Sequence, residues 1–158
     1  MKNKNYSIGI VVVFFLIGFL LINQSPKSIN IENIPENINL VKIAGQDIKV
    51  DLALTMSEKE HGLSGRTGLK EDEGLLFIFK QLGNYPFWMK DMNFPIDIIW
   101  IDGDLKVIYI KKDARPEFYP ETYGPDPSLE DVKYVLEVVS GFSDKNNLQV
   151  GDKIEFIY

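Results

Sequence analysis

The sequence predicts a mainly β domain of the α+β class, a compact, antiparallel, barrel-like arrangement of about seven or eight short strands with one short helix. Two observations support this prediction. Short apolar or alternating segments recur along residues 39–158, and residues typical of turns separate them at the spacing of hairpins. An uncharged stretch near the N-terminus also predicts a transmembrane helix ahead of this domain.

The composition limits the chemistry available to the protein. Hydrophobic residues make up 45% of the 158 residues, which is enough for a sizeable core. The chain has no cysteine, so neither a disulfide nor a thiolate can contribute, and its single histidine, His61, excludes a site of several imidazoles. Residues 27–158 carry 15 basic and 23 acidic side chains, a net charge of −8. Because nucleic acids require a basic face, we predict no nucleic-acid partner. We also predict no metal and no cofactor.

Residues 8–22 form the strongest localisation signal. They are 15 consecutive residues without a charge, close to the ~20 residues needed to span a bilayer, and the charges before them, on Lys2 and Lys4, are positive. We therefore predict an uncleaved single-pass anchor over residues 1–25, with the C-terminal domain outside the cytoplasmic membrane. The alternative is a cleaved signal peptide and secretion, which the bulky residues at the end of the run disfavour.

A tether and the β domain follow the anchor. Residues 26–38 are polar, contain two prolines and show no period, which predicts a tether. Residues 39–158 form the domain, and its first segment, "NLVKIAGQDIKVDLAL", predicts a hairpin with the turn at residues 44–47. "TMSEKEHGL" then predicts a helix of about two turns, because Ser57 and Glu60 have the spacing of a capping box and glycine follows.

The second half of the domain consists of further strands and one long loop. "LLFIF" predicts a strand buried on both faces, since its apolar run is continuous. "FWMKD" and "IDIIWID" predict two strands around a turn, and three more strands continue to the C-terminus. Between them, residues 113–131 form an irregular loop with four prolines. A loop of this length in a compact domain is typically functional or mobile.

Five ordered stretches of the domain resemble the bacterial and archaeal family called domain of unknown function 192. They are "HGLSGRTGL", "EGLLFIF", "FWMKDMNFPIDIIWID", "YVLEVVSGF" and "LQVGDKIEF", and the similarity covers residues 39–158. The resemblance implies a compact, β-rich, barrel-like domain that is often exported, and it implies no established reaction. The matching positions include Arg66, Trp88, Lys90, Asp97 and Glu137. Many relatives have cysteines in a later loop, and this chain has none.

Charged residues inside the apolar strands are the candidate site. Side chains alternate along a strand, so Trp88 and Lys90 share one face, and Asp97 can meet Lys90 if the two strands are neighbours. Arg66 is the other candidate partner. A buried charge is tolerated only when it is paired and hydrogen-bonded. The four residues therefore form either a buried ion pair that sets the hairpin register, or a pocket for a polar or anionic ligand.

Weaker candidates surround this group. Phe118, Tyr119 and Tyr123 of the long loop are candidate lid residues that could stack on a ligand. We expect His61 to make a contact that caps the end of the helix. We expect Glu137 to set the register of its strand or to form an ion pair. A hydrolase that uses Asp97 and Glu137 would need the two carboxylates within ~5–10 Å of each other.

Three functions remain open from the sequence. The first is a membrane-anchored, extracytoplasmic binding or accessory module for a polar or anionic envelope ligand or an envelope protein. The second is an envelope hydrolase that uses Asp97 and Glu137, although the common nucleophile and zinc motifs are missing. The third is a purely structural scaffold domain.

Overall fold

The computed structural model describes residues 37–158, and its strands form two sheets. The strands in chain order are β1 Leu40–Ile43, β2 Gln46–Ala53, β3 Glu73–Gly83, β4 Phe87–Trp88, β5 Ile96–Asp102, β6 Val107–Ala114, β7 Thr122–Tyr123, β8 Val132–Val139 and β9 Glu155–Ile157. Two short helices, α1 Met56–His61 and α2 Phe142–Lys145, and a 3₁₀ helix, Pro116–Phe118, accompany them. The predicted mainly β class is therefore confirmed.

Seven strands form the larger sheet, in the order β6-β5-β8-β3-β2-β1-β9, and β4 and β7 form a separate two-stranded ribbon. The predicted barrel is not closed, because β6 and β9 remain edge strands of the larger sheet. The segments beside these edges do approach each other. An isolated bridge joins Lys106 to Lys153, and the backbone N–H of Val107 donates to the carbonyl of Asp152 at 2.8 Å.

Local sequence accounts for the first elements of the fold. The hairpin of β1 and β2 turns at Ala44 and Gly45, whose φ angles of 48° and 75° match a two-residue turn with both residues left-handed. Helix α1 forms as predicted, but its capping box lies two residues earlier. Thr55 is the N-cap and Glu58 the reciprocal partner. Gly62 ends the helix.

One strand pair departs from the predicted antiparallel pattern. Strands β2 and β3 run parallel, with Leu52 opposite Leu76. The segment that joins them, residues 54–72, includes α1 and is long enough to bring the chain back to the end of the sheet at which β2 begins. A parallel pair requires such a crossover, whereas a hairpin turn produces an antiparallel pair.

Apolar side chains cover both faces of the larger sheet. The first core cluster contains Leu76, Ile99 and Leu136, and the second contains Phe77, Ile98, Trp100 and Val135. Alternation along β3, β5 and β8 divides these residues between the two faces. The prediction that "LLFIF" is buried on both faces is confirmed. Helix α2 contributes Phe142 to the first cluster, and the residues after α1 and around β4 contribute Leu63 and Met89 to the second.

The predicted anchor over residues 1–25 and almost all of the tether lie outside the described residues. Within residues 37–158, no helix is long and apolar enough to cross a membrane.

Candidate functional site

A cavity of about 190 Å³ lies over the second core cluster, between α1 and the segment that contains β4. Aromatic rings form much of its wall, and Glu137 of β8, an inner strand of the larger sheet, contributes a buried carboxyl group to its lining. The lining residues are Lys59, Glu60, His61, Gly62, Leu63, Ser64, Phe77, Phe79, Tyr85, Pro86, Phe87, Trp88, Lys90, Met92 and Glu137.

The aromatic wall is built by packing against the sheet. Phe77 and Phe79 lie two residues apart on β3 and therefore share a face. The ring of Phe87 meets Phe77 edge-on, with centroids 4.7 Å apart, and Phe79 stacks on Tyr85 at 3.6 Å. The indole Nε1 of Trp100 donates to the Tyr85 carbonyl at 2.8 Å. This bond attaches the wall segment to β5 of the larger sheet.

Backbone and side-chain hydrogen bonds hold the loop after α1 against the segment after β4. The hydroxyl of Ser64 donates to the carbonyl of Lys90 at 3.0 Å, and the backbone N–H of Gly65 donates to the carbonyl of Asp91 at 3.0 Å. The side-chain amide of Asn93 donates to the carbonyl of Arg66 at 2.9 Å. These bonds fix the backbone on two sides of the cavity.

Glu137 is the most unusual residue of the site. Its cross-strand neighbours are Leu75 on β3 and Ile98 on β5, both apolar. The residue is 5% exposed, and its Oε2 has no hydrogen-bond partner among the described residues. Burial raises the pKa of this carboxyl to about 8, and the positive charge of Arg66 opposes that rise only in part. A carboxylic acid that is mostly neutral at pH 7 therefore faces the cavity.

Basic side chains lie around the same cavity. The Lys59 ammonium donates to the carbonyl of Leu54 at 2.7 Å and lies 5.1 Å from the centre of the Phe79 ring. Burial, and secondarily the positive charge of Lys80, lower the pKa of Lys59. Lys90 and His61 also line the cavity and are exposed. In the described part of the chain, Lys90 forms no salt bridge.

The structure brings together two of the four residues that the sequence singles out. Trp88 and Lys90 both line the cavity, and Trp88 is 50% exposed. Arg66 lies beside this site but not in its lining, and it pairs with Asp51 at 2.8 Å. The proposed pairing of Lys90 with Asp97 is wrong. Strand β4 pairs with β7, whereas β5 pairs with β6 and β8, so the two residues are not cross-strand neighbours.

Asp97 has backbone partners instead of a basic side chain. It is fully buried, on the face of the first core cluster. Its Oδ1 accepts the N–H groups of Asp113 at 2.9 Å and Gly141 at 3.2 Å, and its Oδ2 accepts the N–H of Ser143 at 2.8 Å. Asp97 thus joins β5 to the start of α2 and to the end of β6.

The predicted lid residues do not line the cavity. Tyr123 is buried in the second core cluster, and the Lys111 ammonium lies 4.3 Å from the centre of its ring. Phe118 and Tyr119 are exposed, at 52% and 46%. The long loop reaches the site through its strand β7, which places Thr122 opposite Trp88. The loop thus lies beside Trp88, and none of its residues lines the cavity that it was predicted to cover.

Asp97 and Glu137 do not form a pair of catalytic carboxylates. They lie on opposite faces of the sheet, since Ile98, the neighbour of Asp97 along β5, is the cross-strand partner of Glu137. Among residues 37–158, no group of three or more His, Asp or Glu side chains could hold a metal ion.

Fold and site together define a small, mainly β domain that carries an aromatic-walled cavity with a buried carboxyl group. The chain belongs to the domain of unknown function 192 (DUF192) family, described as an uncharacterized ACR, whose family model matches residues 39–156. The resemblance drawn from the sequence is therefore confirmed. None of the curated proteins compared with this chain matches it.

Several solved structures are similar to this chain, among them the following two. A candidate transcription regulator from Sinorhizobium meliloti 1021 is 30% identical, with a TM-score of 0.66, and the match covers 74% of this chain and 90% of that one. A protein of unknown function from Novosphingobium aromaticivorans DSM 12444 is 29% identical, with a TM-score of 0.69, and the match covers 75% of this chain and 84% of that one.

Proposed function

We propose that this protein is a binding or accessory module, anchored in the cytoplasmic membrane with its β domain outside, whose aromatic-walled cavity takes a small polar ligand. One observation carries the proposal. The carboxyl of Glu137 is buried at the cavity and its Oε2 has no hydrogen-bond partner in the described part of the chain. A buried polar group without a partner is costly, and a ligand that supplies the partner recovers that cost.

The rest of the cavity supports the same proposal. Ligand sites are typically concave and apolar, with a few convergent polar groups. Here aromatic rings supply the apolar wall, and Trp88, at the rim, offers a half-exposed ring that a ligand can cover. Lys90 and His61 add polar groups at the edge. Of the alternatives drawn from the sequence, a scaffold without a cavity fits these features least.

The membrane anchor in this proposal rests on residues 8–22, an uncharged run preceded by lysines. A nucleic-acid ligand is not part of the proposal, because residues 27–158 carry 15 basic and 23 acidic side chains. For the same reason, the description of the similar Sinorhizobium meliloti protein as a candidate regulator of transcription is not carried over to this chain.

Ligand binding can be detected on the full-length protein in detergent through its tryptophans. Trp88 is half exposed at the cavity, whereas Trp100 is fully buried, so a ligand should change mainly the fluorescence of Trp88. The panel is sugars, sugar acids, nucleotides, amino acids and amines. We expect at least one class to change the fluorescence and to raise the melting temperature, because a ligand that binds the folded state stabilises it.

Matched lysine variants separate a site from a general charge effect. Lys90→Met should weaken binding of the positive class, whereas Lys70→Met, which removes an exposed lysine paired with Glu73 away from the cavity, should leave it unchanged. Equal effects of the two variants, or no response to any class of the panel, would reject the proposed function.

A hydrolase is the second candidate, and the raised pKa of Glu137 is the observation that favours it. A carboxylic acid that stays protonated near pH 7 can act as a general acid. Asp97 cannot be its partner carboxylate, because all three of its bonds go to backbone N–H groups on the other face. The enzyme would be favoured if the wild type hydrolysed envelope material and Glu137→Gln did not. The rate of the wild type should then fall above about pH 8, where Glu137 loses its proton.

A further inference from the structure

The cavity carries groups of opposite chemical character at two depths. Glu137, from an inner strand of the larger sheet, is buried and has a carboxyl oxygen without a partner in the described residues. Lys90 and His61, which line the same cavity, are exposed. A ligand that bonded to both Glu137 and the exposed residues would need a hydrogen-bond donor at its inner end and an acceptor at its outer end. This inference deepens the proposed function and rests on it.

An ammonium group is the inner partner from which Glu137 would gain most. It donates several hydrogen bonds and brings the positive charge that an ionised, desolvated carboxylate needs. The aromatic wall also favours a cation, because the face of an aromatic ring is negative. The Lys59 ammonium lies in such a position, 5.1 Å from the centre of the Phe79 ring.

An anionic group is the outer partner that the rim favours. Lys90 is exposed and has no salt-bridge partner in the part of the chain that the structure describes. Glu60 also lines the cavity and carries a negative charge, which opposes the positive charge of Lys90. Arg66 adds a positive charge near Glu137. The ionisable groups of the site are thus Lys59, Glu60, His61, Tyr85, Lys90 and Glu137, with Arg66 outside the lining.

The size of the cavity sets the size of the part of a ligand that it can enclose. Its volume is about 190 Å³, somewhat more than the ~150 Å³ of an apolar cavity that holds one benzene molecule. One ring or branched side chain with its two charged groups can therefore fill it, with the outer group at the open side.

We propose that the ligand is a zwitterion of amino-acid size, with its ammonium group at Glu137 and its carboxylate at the rim near Lys90. Binding then ionises Glu137 and releases its proton, because the ammonium group stabilises the charged carboxylate. The ligand keeps its own proton, so the released proton comes from the protein.

A matched set of probes tests this assignment on the full-length protein. The set is the twenty amino acids together with phenethylamine and 3-phenylpropanoate, which lack the carboxylate and the amine of phenylalanine, respectively. Calorimetry at pH 7 in two buffers of different ionisation enthalpy measures the protons released. We expect at least one amino acid to bind with release of close to one proton. Glu137→Gln should abolish that release. Removing the amine should weaken binding at least about tenfold, as expected for a charge-assisted hydrogen bond.

The outcomes distinguish this inference from the proposed function. If 3-phenylpropanoate binds as tightly as phenylalanine, or if amino acids bind without proton release, the zwitterion is rejected while the binding module stands. The same holds if sugars or nucleotides bind in a Lys90-dependent way and no amino acid does. If nothing in either panel binds, both are rejected. Lys70→Met serves again as the control. Lys90→Met should weaken the binding only of ligands that carry a carboxylate.

Discussion

The carboxylate of Asp97 accepts the backbone N–H of Ser143 at 2.8 Å, although 46 positions separate the two residues. Helix α2 has only four residues, and its N-cap, Gly141, offers no side-chain cap. Asp97 supplies that cap from β5 and thereby attaches the helix to the larger sheet. The buried acid for which the sequence left an ion pair or a ligand pocket open is thus a structural residue with backbone partners.

Replacement of Asp97 should therefore destabilise the fold without a direct effect on the cavity. Asp97→Ala leaves three backbone N–H groups without their acceptor, and we expect a loss of about 3 kcal/mol or more. Asp97→Asn keeps one acceptor oxygen and should cost less. Urea unfolding measures both, with the exposed Asp131→Ala as control. A loss of ligand affinity in a fully folded Asp97→Asn protein would contradict this role.

Glu137 should make the stability of the protein fall as the pH rises. Its pKa in the folded state is about 8, above the ordinary value of 4.5, so the folded state holds a proton that the unfolded state has released. The free energy of unfolding should therefore decrease between the two values, by about 2–3 kcal/mol from pH 5 to pH 7. Above about pH 8 the decrease should stop.

The variant Glu137→Gln isolates this effect from the other carboxyl groups. The difference in unfolding free energy between wild type and variant, measured in urea at a series of pH values, should follow the predicted slope. A difference that stays constant from pH 5 to pH 8 would show that Glu137 has an ordinary pKa.

Thr55, rather than Ser57, should determine the stability of α1. The Thr55 hydroxyl accepts the N–H of Glu58 at 3.2 Å, and the Glu58 carboxylate accepts the N–H groups of Leu54 and Thr55, each at 2.8 Å. These N–H groups lower the pKa of Glu58. Thr55→Ala should cost about 1 kcal/mol, whereas Ser57→Ala should change little. Thermal unfolding of both variants is the measurement, and equal shifts would contradict the assigned cap.

Gly74 should tolerate no side chain. A Cβ at this position would lie 2.9 Å from the carbonyl oxygen of Glu137 and 3.1 Å from Ile48. The carbonyl belongs to the neighbouring strand and cannot move aside, so Gly74→Ala should destabilise the protein by about 1–3 kcal/mol. Gly68 has open space around it and provides the matched control, Gly68→Ala. Chemical denaturation that ranks the two variants equally would contradict the close approach of β3 and β8.

The sequence by itself determined the local elements and the pairing of β1 with β2, but not the pairing of β4 with β7. The hairpin of β1 and β2, the strand buried on both faces and the helix before Gly62 follow from period and turn residues. It also placed Trp88 and Lys90 at one site, because they lie two residues apart in one segment. The capping box was misplaced because two overlapping sets of residues have the same spacing.

Only the tertiary structure decided which strands are neighbours, and with them the roles of Asp97 and Glu137. A period of two shows which residues share a face, but it contains no information about the strand alongside. Strand β4 pairs with β7, which places Trp88 opposite Thr122, 34 residues further along the chain. The hydrogen-bond partners of Asp97 are Asp113 on β6, Gly141 before α2 and Ser143 within α2. Such contacts depend on how the whole chain packs. In the sequence, therefore, Asp97 with its three backbone partners looks like Glu137, whose Oε2 has no partner among the described residues.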